Sequence, residues 1–297
     1  MRYLKTNSLK KIAKKISMIA LDMDDTTLRS DGTLSSNTES AIKEAISHGI
    51  EIVIASGRSY SSLPKDVINL EGIRYAITSN GAAIYDIQQN RRIYSLTLDS
   101  QSVMEILDLL HKENLCMEVF VDGVPHADAR FVANPSKFGC ASETAIQYIQ
   151  STRVPEKNIM AFIDQHINCL DSLDVRCTTL EARTQIEQML QKNISNIYIT
   201  SSLDSLLEIV NPNAGKGAGL RFLSRKLNIL PSSITAFGNA DNDIDMMEYA
   251  ALGVAVQNAT PHCLEAADIV TEDNDHEGVA QVIEESLHLQ RFNDFGR

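Results

Sequence analysis

The sequence predicts an α/β fold in two parts, a parallel sheet flanked by helices and an α+β segment inserted into it. Three observations predict it. Short, nearly continuous apolar runs at 16–21 (ISMIAL), 51–55 (EIVIA), 75–78 (YAIT) and 234–237 (ITAF) have the composition of strands buried on both faces. Helical patterns alternate with them. From about residue 84 to 201 that alternation gives way to strand, long helix, strand, and afterwards it returns.

Residues 1–15 form a basic N-terminal extension, with Lys5, Lys10, Lys11, Lys14 and Lys15 among apolar residues at near-helical spacing. They read as a solvated extension, with a short membrane-surface helix as the alternative. After the first strand, 29–36 (RSDGTLSS) is a turn-rich loop, and 37–48 is a helix stopped by Gly49. The second strand, 51–55, ends at Ser56-Gly57-Arg58, and 59–70 reads as a helix with Pro64 near its first turn. The strand 75–78 leads to Ser79-Asn80-Gly81. The boundaries are therefore 16–83 and 202–297 for the core and 84–201 for the insertion.

Within the insertion, 103–110 and 180–192 are helices, 115–121, 159–163, 174–178 and 197–200 are strands, and Val124-Pro125 is a turn; 127–152 carries mixed signals. The core then resumes with a strand at 206–210 (LLEIV), Asn211 to Gly217, and a helix to 227. The strand 234–237 ends at Gly238-Asn239-Ala240-Asp241-Asn242-Asp243. A helix at 244–251, strands at 253–256 and 268–270, and a helix at 277–287 complete the chain.

Composition narrows the function. The 297 residues are 43% hydrophobic and 22% charged, ordinary for a globular protein with a sizeable core. A net charge of −12 argues against a nucleic-acid footprint and means that a phosphate site must carry its own local positive charge. Five cysteines without CxxC or zinc spacing read as reduced thiols. No apolar run reaches membrane-spanning length and no secretory signal core is present, so a cytoplasmic protein without membrane partners is expected, as monomer or homodimer.

The chemistry sits at the strand ends. Asp22 and Asp24 follow the first strand two residues apart, and carboxyl ends of parallel strands are where open α/β sheets bind ligands. Such a pair suits a cation, acid/base work, or a nucleophile with its partner; the bland alternative is a polar loop capping the strand. Taken with Ser56-Gly57-Arg58, Asn211 to Lys216 and Gly238 to Asp243, it fits phosphoryl transfer. Asp22 would be the nucleophile and Asp24 the acid/base. Asp22 and Asn239 offer oxygen ligands for Mg2+. Lys216, Ser56 and the N–H groups of Met23 and Gly57 would hold phosphate oxygens. Each has a plain structural counterpart: Ser56 as a helix cap, Lys216 as a solvated lysine, Asp241 to Asp243 as caps of the next helix.

In this order the motifs resemble the haloacid dehalogenase (HAD) superfamily of phosphatases. DMDDT is similar to its DxDxT motif, Ser56 to its small hydroxyl residue, Lys216 to its motif lysine and GNADND to its GDxxND motif. SNGA, GKGAGLRFL and the large insertion resemble the Cof-type subfamily with a type IIB cap. The resemblance implies a Rossmann-like parallel-sheet core with an inserted α+β cap. It implies Asp24 on the metal through its carbonyl, Asn242 in the phosphate site and Asp243 supporting the metal or Lys216. Two positions depart from it: Asp25 stands for a glycine, and Asn239 for the metal-binding aspartate. The expected activity is Mg2+-dependent hydrolysis of a small phosphorylated metabolite through an aspartyl-phosphate. A sugar phosphate is the first expectation, then flavin or pyridoxal phosphates. The alternatives are a phosphosugar mutase and a non-catalytic phosphometabolite-binding protein.

Overall fold

The apolar runs assemble into one sheet because each is buried on both faces. The structure, a computed structural model, describes residues 3–4, 15–111, 113, 115–140 and 142–295, with side chains from 15 to 291. Of the basic extension, all but the backbone of Tyr3–Leu4 and Lys15 lies outside the described residues. Before the insertion the core strands are β1 (Tyr3–Leu4), β2 (Met18–Leu21), β3 (Glu51–Ala55), β4 (Tyr75–Thr78), β5 (Ala83–Asp86) and β6 (Arg91–Ser95). The insertion supplies β7 (Cys116–Val121), β8 (Val124–Asp128), β9 (Val154–Glu156), β10 (Leu170–Arg176), β11 (Tyr198–Thr200) and β12 (Leu206–Val210). Then β13 (Ile234–Gly238), β14 (Leu252–Ala255) and β15 (Ile269–Val270) return to the core.

The core sheet runs β1-β15-β14-β13-β2-β3-β4-β5-β6, parallel from β15 to β4 and antiparallel at both edges. Alternate residues supply its two faces. Ile19, Leu21, Ile52 and Ile54 pack with Ile42 and Ile283 of the helices Ser36–Ser47 and Gly278–Phe295. Met18, Ala20, Val53 and Ala55 pack with Leu220 and Met246 of the helices Lys216–Lys226 and Ile244–Tyr249. From β2 the order proceeds to β3 on one side and to β13 on the other. This reversal is a topological switch point, which opens a crevice at the strand ends.

The cap sheet runs β11-β12-β10-β7-β8-β9, antiparallel except between β8 and β9. Val119, Leu173, Val175, Leu207 and Ile209 lie under the helices Ser100–Leu110 and Leu180–Asn193, which contribute Ile106 and Leu190. The two-residue period turns Glu118, Phe120, Asp174, Arg176 and Glu208 to the other face.

Several elements differ from expectation. β5 and β6 pair with β4 in the core sheet, whereas β12 pairs with β10 and β11 in the cap sheet, so the strands do not follow the predicted boundaries. A run buried on both faces, such as LLEIV, reads alike in either sheet. Residues Ile159–Gln165 are a helix rather than a strand, capped by the Asn158 side chain, which accepts from the Ala161 N–H at 3.1 Å. Pro64 divides 59–70 into a 3-10 turn, Tyr60–Ser62, and a short helix, Lys65–Ile68. The β7–β8 turn is Asp122-Gly123, both at positive φ, and Val124-Pro125 belong to β8. Among the described residues no helix is long and apolar enough to cross a membrane.

Candidate active site

Asp22 leaves the end of β2 with its N–H donating to the Phe237 carbonyl of β13 at 3.1 Å, which ties it to the switch point. The chain then winds through a tight turn, Met23–Thr27, closed by the Thr27 hydroxyl, which donates to the Asp22 carbonyl at 2.5 Å. Asp25 sits there at φ 55°, the left-handed region that favours glycine. Its side chain is exposed and it lines the cavity described below.

Lys216 begins the helix Lys216–Lys226 and is buried, against the usual fate of a lysine. Its Nζ donates to Asp22 Oδ1 and Asp243 Oδ1, each at 2.6 Å. The other oxygen of Asp243 accepts from the N–H groups of Asn239 and Ala240 at 3.0 and 3.1 Å. One carboxylate thus anchors both the lysine and the β13 loop. Burial, reinforced by the Asp243 charge and only partly offset by Lys216, pushes the Asp22 carboxyl up to about 7.

Asp24 is more exposed, and Arg58 grips it with two donors, Nε to Oδ2 at 2.8 Å and Nη2 to Oδ1 at 2.5 Å. The same guanidinium lies 4.1 Å from the Tyr148 ring centroid of the cap. Buried Ser56 accepts from the Arg58 N–H at 3.1 Å. A Cβ on Gly57 would lie 2.7 Å from Glu208 Oε1, so a glycine is what lets this cap carboxylate approach the β3 end. Asn242 donates from Nδ2 to Asn80 Oδ1 at 3.0 Å, and Asn80 donates to Glu208 Oε1 at 2.9 Å.

These groups meet in a cavity of about 260 Å3 between core and cap. Asp22, Asp24, Ser56, Gly57, Asn239 and Asn242 line its core side; Phe120, Tyr148, Asp174, Arg176 and Glu208 line its cap side. Lys216 and Asp243 stand behind Asp22, and the Met23 side chain is buried in the core cluster. Asp241 does not replace the carboxylate that Asn239 lacks, because it turns to the Thr260 hydroxyl at 2.6 Å and to His262 at 3.2 Å. Asn80, Glu208 and Tyr148 were not among the expected site residues, and Arg58 stood in the Ser56-Gly57-Arg58 cluster without a role. Asn80-Gly81 did stand out within the SNGA stretch, but nothing in sequence places the cap residues beside it.

On the cap side, buried Glu118 accepts from Arg153 Nε at 2.8 Å and from Arg176 Nη2 at 2.8 Å. Burial opposes its charge, but the two guanidinium groups outweigh burial and pull the carboxyl down to about 2. Beside it, burial and the Glu118 and Glu208 carboxylates hold Asp174 well above the usual carboxylate range.

The donors around Asp22 fit a hard divalent cation. Lys216 takes Oδ1 of Asp22, and Asp22 and Asn239 both line the cavity, so the second Asp22 oxygen and the Asn239 amide oxygen would offer an all-oxygen set of the kind Mg2+ completes with water. Among the described residues no cluster of three or more His, Cys, Asp or Glu side chains offers another metal site.

Comparison with known proteins agrees with this fold. The profile of the haloacid dehalogenase-like hydrolases matches residues 19–283. Phosphatase YwpJ of Bacillus subtilis is 28% identical over 289 residues, covering 92% of this chain and 100% of its own. The 5-amino-6-(5-phospho-D-ribitylamino)uracil phosphatase YwtE of the same organism is 28% identical over 287 residues, covering 92% and 98%. A haloacid dehalogenase-like hydrolase structure from B. subtilis superposes with a TM-score of 0.77 at 26% identity, covering 91% of this chain and 99% of that one. A HAD subclass IIB sugar phosphatase shares the fold, with a TM-score of 0.75 at 19% identity and coverage of 93% and 100%. The chain belongs to the haloacid dehalogenase-like hydrolases, as a phosphatase of the Cof type.

Proposed function

We propose that this phosphatase hydrolyses a small sugar or polyol phosphate, with Mg2+, through an aspartyl-phosphate on Asp22. The observation that carries the reading is the Asp22 carboxylate at the strand end, one oxygen held by a buried ammonium and the group facing a cavity closed by the cap. Lys216 keeps Asp22 oriented and offsets its charge toward an incoming phosphate. The carboxylate attacks phosphorus and the ester P–O bond breaks. Asp24, on exchanging its two bonds from Arg58 for a proton from solvent, gives that proton to the departing alkoxide. Asp24 then takes a proton from water as that water attacks phosphorus, which frees inorganic phosphate and restores Asp22. Ser56, Asn242 and the N–H groups of Met23 and Gly57 hold the phosphate oxygens. Mg2+, held by Asp22, the Asp24 carbonyl and Asn239, would neutralise phosphate charge when bound.

Size and lining support the substrate class. A cavity of about 260 Å3 falls below the roughly 300–1,000 Å3 of drug-sized sites, which favours a sugar over a flavin leaving group. Asp174, Arg176 and Glu208 offer hydrogen-bonding partners for hydroxyls. Relatives with hydroxylated leaving groups point the same way, YwtE with a ribityl phosphate and the subclass IIB enzyme with sugar phosphates. The test is inorganic phosphate release from p-nitrophenyl phosphate and a sugar-phosphate panel, with Mg2+ or chelator, for the native chain and Asp22→Asn. Mg2+-dependent release, lost by about a thousandfold or more in the variant, is expected. Release insensitive to Asp22→Asn would end the reading.

A further inference from the structure

We infer that Glu208, a cap residue, is a positioning residue for phosphate, fixing through Asn80 which end of the Asn242 amide faces its neighbours. The inference rests on Asn242 contacting phosphate, as read above. All three side chains are buried, where a polar atom needs a partner of the right kind, and of their side-chain polar atoms Asn242 Oδ1 alone has none.

Chemistry forces the order of the chain. Glu208 Oε2 accepts from the Ser202 N–H at 2.7 Å and Oε1 accepts from Asn80 Nδ2 at 2.9 Å. An ionised carboxylate only accepts, so Asn80 must turn its NH2 to Glu208 and its oxygen to Asn242. Asn242 must then donate from Nδ2, as it does at 3.0 Å. An NH2 carries two hydrogens, and the second remains for an acceptor such as a phosphate oxygen.

A glutamine at 208 keeps the shape and reverses the order. Its oxygen stays with the Ser202 N–H and its NH2 faces Asn80. Asn80 then offers its oxygen to Gln and its NH2 to Asn242, which must answer with Oδ1. The donor is replaced by a lone pair, which repels phosphate. A carboxylate at 80 undoes the reversal. With Asn80→Asp added to Glu208→Gln, the acid accepts from Gln on one side and from Asn242 Nδ2 on the other, and the local charge is unchanged. Position 80 lies at φ 49°, ψ 40°, a conformation that Asp tolerates as Asn does.

The experiment is calorimetric titration of inorganic phosphate, in Mg2+, into the native chain, Glu208→Gln, Asn80→Asp/Glu208→Gln and Asn242→Ala, each checked for native circular dichroism. Expected is a loss of affinity of about tenfold or more for Glu208→Gln and Asn242→Ala, and return to within about twofold of native for the double variant. Weakening by Asn242→Ala but not by Glu208→Gln would overturn the relay while leaving phosphate at Asn242. A double variant no better than Glu208→Gln would reduce Glu208 to a cap–core contact and overturn it too. An unchanged affinity in Asn242→Ala would remove Asn242 from the phosphate site, and the relay with it.

Discussion

Glu118→Gln tests whether the cap is held in shape by a buried ion cluster. The substitution keeps the volume and one carbonyl acceptor but leaves Arg153 and Arg176 buried without an anion. Two routes give the magnitude. Lowering a carboxyl from its ordinary 4.5 to about 2 corresponds to about 3 kcal/mol of stability. Breaking one partner of a buried pair costs about 3–5 kcal/mol in general. The lower value is expected, because Asp174 is raised partly by the Glu118 charge and can ionise more readily without it, replacing some of the lost counter-charge.

The sign of the pH dependence follows. A depressed carboxyl stabilises fully above its unfolded value and loses that contribution as pH falls through about 2, so native and variant should converge below pH 4.5. The assay is urea unfolding followed by tyrosine emission and circular dichroism at pH 7 and pH 3.5, with hydrogen exchange of β7 and β10 to localise the loss should cap and core unfold separately. Adding Asp174→Asn should deepen the loss at pH 7. A Glu118→Gln protein within about 1 kcal/mol of native at pH 7 would refute the assignment of cap stability to this cluster.

Two further outcomes are expected. Asn239→Asp adds a carboxylate to a donor set that Asp241 does not supplement, so Mg2+ should bind on the order of tenfold more tightly by calorimetry; unchanged affinity would place the metal away from residue 239. Gly81→Ala would set a Cβ 2.0 Å from the Gly215 carbonyl at a φ of 86°, so stability should fall by about 1–3 kcal/mol or more. Phosphatase activity should fall with it, since Gly215 precedes Lys216, and a fully active Gly81→Ala protein would show that the lysine does not depend on this contact.

The core half of the site was legible because parallel strands make it so. An apolar run that stops at Asp22, Ser56 or Gly238 announces both a buried strand and its polar exit, and the switch point brings those exits together. The cap half was hidden by the same periodicity that builds it. In β7 and β10, Glu118, Asp174 and Arg176 alternate with Val119, Leu173 and Val175, the signature of a strand with one wet face. Here that face is turned to the core and its charges are buried, a fact set by docking between segments far apart in the chain. Glu208 and Asn80 are 128 residues apart, and no local pattern links them.

That docking makes cap position and site assembly a single event. Arg58 spans Asp24 and the Tyr148 ring, and Glu208 spans the β3–helix junction at Gly57 and the amide of Asn80. A buried hydrogen bond to a charged group contributes about 1.5–3 kcal/mol and a cation–π contact about 0.5–2. These two links alone favour the closed arrangement by on the order of 2–5 kcal/mol. Withdrawing the cap removes the acceptor that orders Asn80 and the ring that backs Arg58 at the moment it opens the cavity. On the proposed mechanism an open enzyme would keep Asp22 on Lys216 but lose the acceptor that orders the Asn80–Asn242 amides and the ring behind Arg58. On that mechanism hydrolysis would be confined to substrates that let the cap close, which would place selectivity in the cap without any cap residue touching the phosphorus.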